Sequence, residues 1–260
     1  MPKFAANLSM LFNEVPFLDR FEAAATAGFR GVEYVGPYDY PAEQIAELLH
    51  RHDLKQVLFN LPAGNWAAGE RGIGCHPDRI AEFEVSVETA IHYAKVLGCG
   101  QVNCLAGLRP AGTTPEAAEA TFIRNLRHAA EEFEKAGILL IAEPINFYDM
   151  PGFFLNRSAQ AIAIFDQVGS DNLKLQYDIY HMQRMEGELA RTIERLMPRI
   201  AHFQIAGNPN RTEPDRGEIN YPFLYDFIDG LGYTGWIGAE YRPVRTTVEG
   251  LGWLRAVQHG

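Results

Sequence analysis

The chain has 260 residues, 47% of them hydrophobic and 22% charged, with a net charge of -10. That length supports one large core or two small ones, and so acidic a balance argues against nucleic acid or anionic membranes as partners, since both select basic surface. The N-terminal stretch MPKFAANLSMLF is too short and mixed to read as a signal peptide, and no apolar run approaches the roughly 20 residues of a membrane span.

Cys75, Cys99 and Cys104 form no CxxC and cannot all pair, so reduced thiols and a cytoplasmic location are expected. No low-complexity segment, linker or shift in composition marks a domain boundary. The whole of 1–260 therefore reads as one domain.

Short apolar segments alternate with amphipathic ones along the chain. Strands are predicted at 3–9, 31–35, 55–60, 101–107, 138–143, 173–178, 200–206 and 236–241. Between the first three, FLDRFEAAATAG ends on Gly28, a C-cap residue, and PAEQIAELLHRHD opens on Pro41 in a first helical turn. Apolar residues recur at three- and four-residue spacing in the segments 76–98 and 114–137. Further helices are expected at 158–169, 191–197 and 221–232, with a last one after Pro243. Eight strands alternating with helices suggest parallel βα units, and at this length a single-domain (β/α)8 TIM barrel is the first choice. A doubly wound sheet is the alternative, but no GxGxxG follows the first strand.

A TIM barrel places its active site at the C-terminal ends of its strands. Strand five ends on Glu143, strand six on Asp178 and strand eight on Glu240, while strand seven carries Gln204 near its end. One strand-end acid is ordinarily just solvated. Three carboxylates on neighbouring strands would repel one another unless protonated or balanced by a cation. Carboxylate and amide oxygens suit Mg²⁺ or Mn²⁺, whereas Zn²⁺ prefers histidine or thiolate.

The segments AEPIN, YDIYHMQ, HFQIAGNPNRTEPDRGEINY and GAEYRP resemble the hydroxypyruvate isomerase family, within the xylose-isomerase-like TIM barrels of sugar isomerases and epimerases. FNLPAGNWAAGERG (59–72) is similar to that family's loop after strand three, where the family more often carries aspartate at the position of Asn65. The resemblance runs nearly end to end. It implies that Glu143, Asp178, Gln204 and Glu240 bind the metal and that Glu143 and Glu240 exchange protons with the substrate. Related ketose 3-epimerases usually have histidine as the third ligand, so Gln204 favours the hydroxypyruvate branch. The implied reaction interconverts hydroxypyruvate and tartronate semialdehyde by enediolate proton transfer. A 2-oxotetronate isomerase or a ketose 3-epimerase on the same site is the alternative.

His181, three residues after Asp178, reads as a donor to a substrate oxygen or as a loop histidine packed on Tyr180. His50, His52, His92, His128 and His202 read as helix surface or core. Three carboxylates and a divalent cation leave a net charge of -1, so a carboxylate substrate needs a further cation nearby. Arg71 and Arg211, in loops expected above the rim, are the candidates. Arg71 is preferred, because its glycine-flanked GERG can fold down as a lid. Loop salt bridges to Glu70 or Glu213 would explain the same arginines without a substrate. Glu70 and Glu218 are candidate outer acceptors, and Trp66 is either a lid or a loop anchor. The expected partner is a small-molecule substrate, a short 2-oxo acid or a ketose. Neither nucleic acid nor membrane is expected, and a homo-oligomer is left open against a monomer.

Overall fold

The computed structural model describes residues 2–259. Its elements run β1 (Lys3–Asn7), α1 (Arg20–Thr26), β2 (Gly31–Tyr34), α2 (Ala42–Arg51), β3 (Lys55–Phe59), α3 (Ile80–Leu97), β4 (Gln101–Cys104), α4 (Pro115–Lys135), β5 (Leu139–Ala142), α5 (Ser158–Val168), β6 (Leu173–Asp178), α6 (Ile179–Met185), α7 (Leu189–Leu196), β7 (Ile200–Ile205), α8 (Tyr221–Gly230), β8 (Trp236–Ala239), α9 (Thr247–Gly250) and α10 (Gly252–His259). The eight strands form one parallel sheet in the order β3-β2-β1-β8-β7-β6-β5-β4. Its two ends meet at the Asn60–Asn103 bridge, where the Leu61 N–H donates to the Asn103 carbonyl at 2.8 Å. The result is a TIM barrel, as the alternation of elements predicts.

Local chemistry sets the helix ends. Thr114 accepts the Ala117 N–H at 3.2 Å ahead of Pro115, giving α4 a side-chain cap followed by a proline with preset φ. Gly28 follows α1 with φ +98, the left-handed backbone of a helix stop. Pro41 is the N-cap of α2 rather than part of its first turn. The short helix α6, directly after β6, has no counterpart in the predicted elements. Only one residue type signals it, because Asp178 serves both as the end of β6 and as the N-cap of α6.

The main apolar core joins the outer faces of the strands to the helices, with Phe83, Phe122, Phe133 and Phe165 fully buried from the helix side. Each such ring contributes about 1.5–3 kcal/mol through burial. The inner faces differ. Ala5, Val57, Leu58 and Ile141 form a separate small cluster against Trp236. Buried polar groups occupy other strand positions: Asn7, Glu33, Gln176, His202 and Gln204. Period-two alternation then sets Glu143 two residues beyond Ile141, Asp178 beyond Gln176 and Glu240 beyond Gly238, all on the inward face.

Candidate active site

Glu143, Asp178, His181 and Glu240 converge at the C-terminal mouth of the barrel. One ligand atom from each lies within 4.8 Å of all the others. Asp178 divides its two oxygens between tasks. Its Oδ1 accepts the His181 N–H at 3.0 Å and caps α6, while Oδ2 is buried with no hydrogen-bond partner. Glu143 Oε1 is likewise buried and unpartnered. Unpaired buried carboxylate oxygens are costly, and two of them facing one point suit a cation. The donor set is oxygen-rich, as a hard divalent ion requires.

His181 Nε2 lies 3.7 Å from both Glu143 Oε1 and Asp178 Oδ2. Its ring is oriented from behind by Asn146. The Asn146 carbonyl oxygen accepts the Asp149 N–H at 2.8 Å, which turns Asn146 Nδ2 toward His181 Nδ1 at 2.6 Å. Nδ1 is therefore the acceptor, and the neutral imidazole carries its proton on Nε2, facing the carboxylates. A protonated Nε2 is a hydrogen-bond donor, not a metal ligand. This geometry matches the role of donor to a substrate oxygen. His181 also packs on Tyr180, with ring centroids 5.3 Å apart.

Gln204 borders the same cavity as Glu143 and Glu240. Its Nε2 donates to Glu33 Oε1 at 2.7 Å, and its Oε1 accepts from Gln176 Nε2 at 2.6 Å. That oxygen keeps a second lone pair. The cavity is about 10 Å³, room for one water-sized body. A larger cleft of about 590 Å³ adjoins it at Val35 and is lined by Tyr38, Tyr40 and Trp66 among others.

Arg211 and Arg71 have different surroundings. Arg211 is buried, with its guanidinium 2.5 Å from Glu240 Oε2 and 3.6 Å from Asp149 Oδ2, over the Tyr180 ring. Its loop is pinned, because the Gly207 N–H donates to the Thr212 carbonyl and the Arg242 N–H to the Arg211 carbonyl, both at 2.8 Å. Arg211 Nε is buried without a partner. Arg71 instead stacks on Trp66 at 4.1 Å and donates to the carbonyls of Trp66 and Glu70. Trp66 thus anchors this loop. The Glu70 carboxylate pairs with Arg79 at 2.6 Å, and Glu213 with Arg216 at 3.6 Å. Glu218 accepts from Gln183 at 3.1 Å and from Asn208.

Electrostatics follow from this burial. Desolvation, reinforced by Glu240 and Asp178, pushes the Glu143 carboxyl well above the usual range. Burial pushes Asp178 up to about 6, against the opposing field of Arg211 and the backbone donors of His181 and Tyr180. Burial pushes Glu240 up to about 7, again against Arg211. Burial, with Arg211 and Arg184 nearby, holds His181 well below its ordinary value and keeps it neutral. Arg211 is thus the cation that acts on all three carboxylates. Groups shifted this way cluster at functional sites.

Sequence reasoning identified the carboxylates, Gln204, His181 and Arg211, but not Asn146, Asp149, Asn7 or Glu33. Asn146 stands inside the AEPIN segment, three residues after Glu143, and that proximity was its only signal. His202, read as surface or core, is a core residue.

Residues 21–257 match the family model of xylose isomerase-like TIM barrels. The hydroxypyruvate isomerase of Escherichia coli K12 is 54% identical, covering 98% of both chains. The 2-oxo-tetronate isomerase of Cupriavidus necator is 49% identical, also over 98% of both chains. A crystal structure from Brucella melitensis, called an AP endonuclease of family 2, superposes with a TM-score of 0.96 at 46% identity, covering 98% of this chain and 99% of that one. Among the described residues no helix is long and apolar enough to cross a membrane. The chain belongs to the xylose isomerase-like TIM-barrel family and, within it, to the hydroxypyruvate isomerase group: it is an isomerase.

Proposed function

We propose that this chain is a divalent-metal-dependent isomerase of short 2-oxo acids, interconverting hydroxypyruvate and tartronate semialdehyde. The observation that carries the proposal is the buried cluster of Glu143, Asp178, His181 and Glu240, with two orphaned carboxylate oxygens facing its centre. Glu143, Asp178, Gln204 and Glu240 would hold Mg²⁺ or Mn²⁺. Bound there, the ion supplies Lewis acidity that acidifies the C–H bond and stabilises the developing enediolate charge.

The chain's own residues do the rest. One of Glu143 and Glu240 takes the proton from C3 of hydroxypyruvate, the other delivers a proton to C2, and the O3 hydroxyl proton passes to O2 as the C3 carbonyl forms. Burial raises both carboxyls, Glu240 to about 7, which suits groups that alternate between acid and base. His181 Nε2–H donates to a substrate oxygen while Asn146 fixes the tautomer. Arg211, with its free Nε, meets the substrate carboxylate as a planar fork. Its burial beside the cluster supports this role for it ahead of Arg71, which stacks on Trp66 and donates to two loop carbonyls.

One observation favours a second substrate of the same class. The adjoining cleft of about 590 Å³ leaves room for a fourth carbon, in keeping with 2-oxo-tetronate, the compound named for the relative from C. necator. The test is a coupled assay in which hydroxypyruvate, 2-oxo-tetronate and a panel of neutral ketoses compete, with Mg²⁺ or Mn²⁺ added. The proposal expects the 2-oxo acids to lead in kcat/KM. A clear preference for a neutral ketose makes the chain a ketose epimerase instead.

A further inference from the structure

Glu33, on β2, is 1% exposed and borders the small cavity beside Gln204 and Glu240. Three donors converge on its carboxylate: Gln204 Nε2 at 2.7 Å, His202 Nε2 at 2.8 Å and Asn7 Nδ2 at 3.0 Å. Asn7 Nδ2 also donates to Glu240 Oε1 at 3.1 Å. The barrel wall is shaped around this group. A Cβ at Gly238, on the neighbouring part of β8, would stand 2.3 Å from both Glu33 oxygens. Only glycine there leaves the carboxylate its place.

We infer that Glu33 is a positioning residue of the metal site, acting through Gln204 and Asn7; the inference rests on the metal-dependent reading above. A glutamine amide has two ends of similar shape, and only its oxygen can bind a cation. Both Glu33 oxygens accept in this arrangement. Facing Glu33, Gln204 must therefore present its nitrogen, which turns its oxygen the other way, where Gln176 Nε2 meets it at 2.6 Å. Asn7, held by the same carboxylate, steadies Glu240. An amide in place of Glu33 has one acceptor oxygen where Gln204, Asn7 and His202 now share two, and its own NH2 would face a donor, so the arrangement that fixes Gln204 is no longer set. Groups that orient metal ligands from behind typically govern metal affinity by about 10–100-fold.

The experiment titrates Mn²⁺ into metal-stripped protein by calorimetry and measures thermal unfolding of the same metal-free samples. Glu33→Gln is expected to weaken Mn²⁺ binding by about 10–100-fold. Glu33→Asp, which keeps both acceptor oxygens on a shorter arm, should recover part of the loss. Gly238→Ala, which leaves every donor in place but displaces the carboxylate, should reproduce it. A network that only supports the fold would lower Tm and leave the Mn²⁺ dissociation constant alone. If Glu33→Gln does not fold, Glu33→Asp decides on the same titration: weaker binding supports the role and unchanged binding overturns it. Wild-type protein that takes up Mn²⁺ while the folded variants bind it equally well overturns this inference alone. Wild-type protein that takes up none overturns the metal reading as well.

Discussion

Replacing Arg211 with methionine removes the cation from a site that otherwise holds three carboxylates. Its guanidinium lies 2.5 Å from Glu240 Oε2 and is 8% exposed, so solvent compensates little. Methionine preserves most of the aliphatic bulk over Tyr180 and takes away the charge. Truncating one partner of a buried, hydrogen-bonded charge pair costs about 2–5 kcal/mol, much of it from the group left unpaired. For a carboxylate substrate, that converts to a loss of about 30- to 5,000-fold in kcat/KM, at 1.36 kcal/mol per factor of ten. A neutral ketose shares the loss of the Glu240 partner but has no carboxylate of its own to leave unpaired, so it should lose less. Arg71→Met, made in parallel, should change kcat/KM less than Arg211→Met, since Arg71 contacts Trp66 and loop carbonyls. The assay is initial-rate kinetics on hydroxypyruvate and on a neutral ketose for all three proteins. An Arg211→Met enzyme that keeps the wild-type ratio between the two substrates refutes the clamp, and a larger acid-selective loss in Arg71→Met returns the role to that residue.

Glu143→Gln and Glu240→Gln should each lower kcat by about 10²–10⁴-fold, with metal content measured alongside because each residue has both roles; near-normal turnover at full metal occupancy would exclude that glutamate. Asn146→Asp should move the His181 proton from Nε2 to Nδ1, since a carboxylate accepts where the amide donated. Nitrogen-15 NMR of the imidazole reads the tautomer directly, and an unchanged Nε2–H signal would refute the orientation argument. The carboxyl groups also make a pH prediction. Asp178 and Glu240 are raised to about 6 and about 7, so between their unfolded values near 4 and those folded values the metal-free fold binds more protons than the unfolded chain. Their contribution to stability is therefore present at low pH and lost as pH rises through the folded values. Metal must displace those protons, so the rise in Tm on adding Mn²⁺ should grow from pH 5 to pH 8; a pH-independent rise contradicts the shifts.

The strands were legible because barrel strands are short apolar runs, and each predicted span contains its observed strand. The ends were read up to three residues long, most at β4 and not at all at β6. Glu143 and Glu240 follow β5 and β8, which end at Ala142 and Ala239, rather than closing them. The inward-facing set was harder to see. Glu33 sits within GVEY, where a lone acid between apolar neighbours gives no clue that its donors come from 26 to 171 residues away. His202 and Asn146 are hidden for the same reason: their meaning lies in partners that only the closed barrel brings together. Arg211 and Arg71 looked alike as loop arginines. The difference is that the backbone pairings around Gly207 and Arg242 hold one loop down against the cluster, while stacking on Trp66 holds the other in its own turn.

Metal dependence of the isomerisation tests the central claim most directly. Protein stripped by chelator and assayed with hydroxypyruvate should be inactive, and should recover as Mn²⁺ or Mg²⁺ is added, saturating near one ion per chain. Full turnover in protein shown by elemental analysis to hold no divalent metal would contradict it.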